Sequence, residues 1–109
     1  MKIVKVTYTT KATFAEQNQI NIRNVMTDLQ KSNHPGINYT VCLSTDNKTF
    51  IHTAFFKSDE DQKLLNEMPS FKSFQEQLKS GGLDIPPKQE ILTLVGTSND
   101  IFYFKNNLE

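Results

Sequence analysis

Tryptophan is absent from this chain, cysteine occurs once, and neither sign of charge prevails. Each shortage closes off a class of protein. A lone Cys42 cannot form a disulfide within the chain, so the fold has to rest on its apolar core, and a reducing compartment, the cytoplasm, is the expected location. Twelve Lys and Arg against twelve Asp and Glu leave a formal net charge of zero. No basic field draws nucleic acid, and no Lys/Arg run holds the chain to an anionic membrane. No window approaches the ~20 apolar residues of a membrane span, and the lysine-interrupted Met1–Tyr8 stretch is too short for a signal peptide. Two histidines and one cysteine, with no ligand pair at metal spacing, make a zinc site unexpected. Neither a Gly-rich phosphate loop nor a Ser/His/Asp signature occurs. No cofactor is expected.

What remains is one compact domain. The chain has 109 residues, 37% of them hydrophobic, and domains of this length bury roughly two thirds of the surface the unfolded chain exposes. Lys2 to Thr9 alternates, Val4, Val6 and Tyr8 against Lys5 and Thr7, which predicts a strand. Thr13-Phe14-Ala15-Glu16 has the form of a capping box. It predicts a helix with Phe14, Ile22, Val25, Met26 and Leu29 on its apolar stripe and Gln17, Asn21, Arg23 and Asp28 opposite. Asn33-His34-Pro35-Gly36 ends that helix.

Ile37 to Ser44 alternates again, and the turn residues Asp46-Asn47 lead into a third strand over Thr49 to Phe56. That strand is apolar on both parities, Phe50, Ala54 and Phe56 on one and Ile51 and Phe55 on the other, as expected of a central strand covered on both faces. Ser58-Asp59-Glu60-Asp61 caps a second helix carrying Leu64, Leu65 and Met68. Pro69 breaks it and starts another segment with Phe71, Phe74 and Leu78 at i, i+3 and i+7, closed by Gly81-Gly82. Leu83 to Lys88, with Pro86-Pro87, reads as an extended connection and Glu90 to Gly96 as the last strand. After a turn at Ser98-Asn99-Asp100, Ile101-Phe102-Tyr103-Phe104 forms a short aromatic strand. The domain is expected over residues 1–98. The tail, 99–109, either contacts a partner copy or folds back on its own chain.

Strand, helix, strand, strand, helix, strand is the α+β, ferredoxin-like βαββαβ plan, a four-stranded antiparallel sheet with its helices on one face. The doubly apolar third strand then needs a cover for the open face, and a second copy of the chain, giving a homodimer, is the simplest one.

The segments His34-Pro35-Gly36, Phe50-Ile51-His52, Phe55-Phe56-Lys57-Ser58-Asp59-Glu60 and Met68-Pro69-Ser70-Phe71-Lys72-Ser73-Phe74 resemble the dimeric α+β barrel superfamily, which includes the antibiotic-biosynthesis monooxygenase-like domains. The last of them is similar to that family's Ser-Pro-x-Phe-x-x-Phe helix restart. The resemblance implies two sheets packed face to face, with a cavity in each protomer. It also implies a choice of chemistries, cofactor-independent oxidation of aromatic compounds or haem degradation, carried by Trp, Asn, Arg or His. This chain departs from the pattern in having no tryptophan and in placing Leu65 where many members carry a histidine four residues before the helix proline.

His52 is the foremost chemical residue, as acid, base or haem ligand, against a plain role as a core-edge histidine bonded to the backbone. The hairpin decides its face. A two-residue turn sets it opposite Val41 on the apolar face, and a three-residue loop sets it opposite Thr40 beside Cys42. Thr7, Tyr39, Thr40 and Cys42 complete the residues expected around a ligand cavity. Cys42 alone reads as a small buried hydrophobe, and Tyr8 or Tyr39 as a phenol at the rim of the core. Two functions follow, a non-catalytic dimer binding a small apolar or aromatic molecule, or a monooxygenase-like enzyme using His52.

Overall fold

The computed structural model describes residues 1–102. Its elements run β1 (Lys2–Thr10), α1 (Ala15–Ser32), β2 (Ile37–Leu43), β3 (Thr49–Phe56), α2 (Asp59–Glu67), α3 (Pro69–Gln77) and β4 (Leu83–Leu92), with a π-helical turn over Leu78–Gly82 between the last two. The strands form one sheet in the order β2-β3-β1-β4, every neighbouring pair antiparallel. This is the expected ferredoxin-like plan, with β3 and β1 central.

Side-chain alternation divides the sheet cleanly. Phe50, His52, Ala54 and Phe56 of β3 are buried, whereas Thr49, Ile51, Thr53 and Phe55 are half-buried. The buried set joins Val4 and Tyr8 of β1, Ile22 and Val25 of α1, Leu65 of α2, and Phe71 and Phe74 of α3 in one core. The helices therefore cover this face. On the other, register places Ile3 beside Phe55 and Leu92, and Thr7 beside Ile51. Lys5 and Glu90 meet there at 4.0 Å, both well exposed.

Local chemistry explains most boundaries. Ser58 caps α2 by a reciprocal box, its hydroxyl accepting from Asp61 N–H while the Asp61 carboxylate accepts from Ser58 N–H. Pro69 is the first residue of α3, where a missing N–H costs nothing, and Met68 before it is extended. Gly81 closes the helical run at φ +102°, a region open to glycine.

Three expectations are corrected. The Thr13–Glu16 capping box does not form, because α1 begins at Ala15 after Phe14 and carries no side-chain cap. Its entry is held by packing instead, with the Phe14 ring lying so close over Gly82 that a Cβ there would come within 2.6 Å of it. Asn21 is buried rather than outward, and donates to Gln77 Oε1 at 3.0 Å, tying α1 to α3. The last strand starts at Leu83, not Glu90, and ends at Leu92, so Pro86-Pro87 lie inside it. They are tolerated because β4 is an edge strand and because they form a bulge. Thr7 pairs with Lys88 and Thr9 with Ile85, leaving two prolines opposite Tyr8.

Among the described residues no helix is long and apolar enough to cross a membrane. Of the expected aromatic strand, Ile101 and Phe102 form a bend and a turn, and Tyr103 and Phe104 lie outside the described residues.

Candidate functional site

The hairpin register resolves the position of His52. Ser44 N–H bonds Thr49 O at 2.9 Å and Asn47, at φ +62°, closes a turn on Ser44. The loop is longer than two residues, yet it preserves the parity of a two-residue turn, and His52 pairs with Val41. Its ring therefore points under the helices, diagonally between Tyr8 of β1, which pairs with Phe50, and Tyr39 of β2, which pairs with Ala54.

There the imidazole lies between two phenols. Tyr8 Oη is 2.7 Å from Nε2 and Tyr39 Oη is 2.6 Å from Nδ1. Asn18, wholly buried on α1, donates from Nδ2 to Tyr8 Oη at 2.9 Å. Its Oδ1 is buried with no partner among the described residues. An unpaired buried carbonyl of this kind costs about 1–3 kcal/mol. The rings are packed as well as bonded. Tyr8 stacks on Phe50 at 5.6 Å, while Phe74 tilts against His52 at 5.5 Å and Phe71 meets Tyr39 edge-on at 6.3 Å. The helix restart at Pro69 thus delivers its paired phenylalanines onto the histidine and tyrosine.

Burial sets the protonation of this chain. It pushes His52 down to about 4 from its ordinary 6.5, since loss of water disfavours the charged imidazolium. Burial likewise raises Tyr8, with the Asn18 hydrogen bond opposing, and raises Tyr39, aided by repulsion from Tyr8. All three are neutral near physiological pH. His52 then has one donor nitrogen and one acceptor nitrogen, both engaged by tyrosines.

A cavity of about 280 Å³ opens between this cluster and α2–α3. Val6, Tyr8, Tyr39 and His52 contribute to its sheet side and Leu65 and Phe71 to its helix side. Gln62, Asn66, Gln75, Lys79 and Gln89 supply the polar remainder, with Pro87 of the bulge beside them. The volume lies just below the range of ligand sites, ~300 to 1,000 Å³. Among the described residues no cluster of His, Cys, Asp or Glu is arranged to hold a metal ion.

Of the residues singled out in the sequence, Tyr39 and His52 meet in this cavity. Thr7, Thr40 and Cys42 do not line it. Their parity turns them to the open face, where Thr7 pairs with Ile51 and Cys42 with Ile51 from the other side. Thr40 and Cys42 border a second groove, about 370 Å³, between β2 and α1. Cys42 is exposed in the chain, which corrects its reading as a buried small hydrophobe. Tyr8 acts as a bonded member of the site rather than a rim phenol, and Asn18 was not foreseen. A signal for Asn18 existed, because it stands four residues before Ile22 and seven before Val25 on the apolar stripe.

No family model matches the chain, and no curated protein matches it. Solved structures do. A candidate antibiotic biosynthesis monooxygenase from Nitrosomonas europaea superposes with a TM-score of 0.74 at 17% identity, covering 88% of this chain and 100% of that one. Rv0793 from Mycobacterium tuberculosis gives 0.74 at 12% identity over 90% and 98% of the two chains. A further candidate antibiotic biosynthesis monooxygenase, from Caulobacter crescentus, gives 0.73 at 18% identity over 87% and 90%. At such identities the likeness establishes the fold, the four-stranded antiparallel sheet with its helices on one face.

Proposed function

We propose that this chain is a small-molecule-binding protein of the cytoplasm, a homodimer through its open sheet face, that encloses an apolar or aromatic compound in the cavity beneath α2 and α3. The observation that carries this reading is the cavity itself, apolar over most of its wall with one built polar cluster, Tyr8–His52–Tyr39, on its sheet side. Such a combination suits a largely hydrophobic ligand with one polar group. The dimer is supported by the second parity of β3, where Ile51 and Phe55 stand only half-buried in a single chain.

A second reading, cofactor-independent oxidation of the bound aromatic, is favoured by one observation, a hydrogen-bonded chain able to pass protons beside the ligand space. Its haem-degrading form fits less well. Ligation of iron by His52 needs a free ring nitrogen, and both are held by tyrosine hydroxyls.

Titration with naphthalene, followed by ligand-observed NMR and by the melting temperature, tests the binding reading. Binding is expected in the wild type and its loss in Val6→Phe, which fills the cavity from β1, with a cooperative melt retained. Absence of binding in the wild type refutes the reading. Sedimentation at micromolar concentration tests the dimer, and a folded monomer refutes it. Haemin that produces no Soret shift removes the haem branch.

A further inference from the structure

The side chains of the buried cluster can share their hydrogens in few ways, and following them one by one gives the cavity a polarity. Asn18 Nδ2 donates to Tyr8 Oη. The Tyr8 oxygen, already accepting, has its own hydrogen to place, and His52 Nε2 lies 2.7 Å away. The arrangement that gives this hydrogen a partner makes Nε2 the bare nitrogen of the ring. A neutral imidazole carries a single N–H, so the hydrogen sits on Nδ1 and points to Tyr39 Oη at 2.6 Å. In this arrangement Tyr39 accepts from His52, and its own hydrogen has no further partner among the described residues. Tyr39 is part of the cavity wall.

A second observation points the same way. No carboxylate lines the cavity among the described residues, and its one formal charge is the ammonium of Lys79. The side-chain amides of Gln62, Asn66, Gln75 and Gln89 offer donors and acceptors alike, so it is the charge of the wall that favours an acceptor on the ligand.

We propose that Tyr39 is the hydrogen-bond donor of the cavity, and that the ligand is an apolar ring compound whose carbonyl oxygen accepts from it. Asn18 and Tyr8 are positioning residues. They fix the direction of the chain by holding His52 in its Nδ1–H form. This rests on the binding reading above and specifies the ligand class it leaves open. It also gives Asn18 a role that core packing does not, since an apolar residue on that stripe would fill the space without an unpaired carbonyl.

The test uses two probes of nearly equal shape, 1-acetylnaphthalene and 1-ethylnaphthalene, which differ by a carbonyl oxygen. Calorimetric titration of the wild-type protein is expected to show the ketone binding about 2- to 10-fold more tightly, the range one neutral hydrogen bond contributes. Tyr39→Phe is expected to bind the two alike. Tyr8→Phe is expected to lose the preference although Tyr39 is intact, because Nε2 no longer receives a hydrogen. Independently of any variant, the ¹⁵N shifts of His52 are expected to show a protonated Nδ1 and a bare Nε2. Equal affinity for the two probes in the wild type, or a protonated Nε2, overturns the proposal. Failure of both probes to bind overturns the cavity reading, and the proposal with it, whereas binding without preference leaves the cavity reading standing and removes this inference alone.

Discussion

Acidification should weaken this protein by a calculable amount through one residue. His52 is 5% exposed and neutral, its ring bounded by the uncharged Tyr8, Tyr39 and Phe74. Burial lowers it to about 4, whereas the unfolded chain has the ordinary 6.5. Between those values the unfolded state binds a proton that the folded state refuses. Stability is therefore fully present above pH 6.5 and is lost as pH falls towards 4, below which this group makes no further difference. The linkage relation gives a loss of about 1 kcal/mol by pH 5.5 and about 3 kcal/mol by pH 4, relative to pH 7. Against a total of ~5–15 kcal/mol for a domain, that is a large share. The assay is urea unfolding at the three pH values for the wild type and for His52→Gln, which cannot titrate. Carboxylates contribute equally to both, so the difference between their pH slopes isolates His52. The Cε1–H resonance of the folded wild type should also stay unprotonated down to about pH 5. A ring that titrates near 6.5 in the folded state, or identical slopes for the two proteins, would refute the buried neutral histidine.

Three further outcomes are expected. Gly82→Ala should cost about 1–3 kcal/mol in urea unfolding, because the new Cβ meets the Phe14 ring that seats the start of α1. Ser58→Ala should cost about 1 kcal/mol by removing the hydroxyl half of the α2 capping box. Phe55→Lys, on the open face beside Ile3, should leave the far-ultraviolet spectrum unchanged and convert the sedimenting species to monomer.

Element order and topology are readable because they depend on periodicity, and the clearest periods belong to β1, β2 and α3. The double apolarity of β3 reported its central place in the sheet, and Pro69 with its flanking residues reported the restart of α3. The face of His52 stays open between two options in the sequence because a single residue of loop length inverts it. The four-residue loop that forms keeps the parity of a two-residue turn, so the outcome matched one option by a different turn. The start of β4 was misplaced for a specific reason. Adjacent prolines argue against a strand interior, and they fit here because a bulge on an edge needs no ladder bond from them. Asn18 is not legible from the stripe because the apolar members that define it hide the polar one standing among them. Thr7, Thr40 and Cys42 were grouped with His52 as polar neighbours in the hairpin and first strand, but parity puts them across the sheet from it.

These departures from ordinary local rules converge in one place. A polar residue on an apolar helix stripe, a proline pair within a strand and a helix interrupted by Pro69 have no common cause in propensity. Asn18 bonds Tyr8, the prolines bulge opposite Tyr8, and the restarted helix sets Phe74 on His52 and Phe71 on Tyr39. Each departure carries its own cost: an unpaired Asn18 carbonyl, interrupted strand pairing and a broken helix. None of them would be needed merely to fill the space between a sheet and its helices, which apolar residues do at less expense. Costs that gather around one hydrogen-bonded cluster and one cavity are what a binding site adds to a fold. The same sheet supplies a contrast on its other side, where Ile3, Phe55 and Leu92 keep to simple alternation. That asymmetry is the reason the proposed ligand is assigned to the space under the helices and the proposed partner copy to the open face.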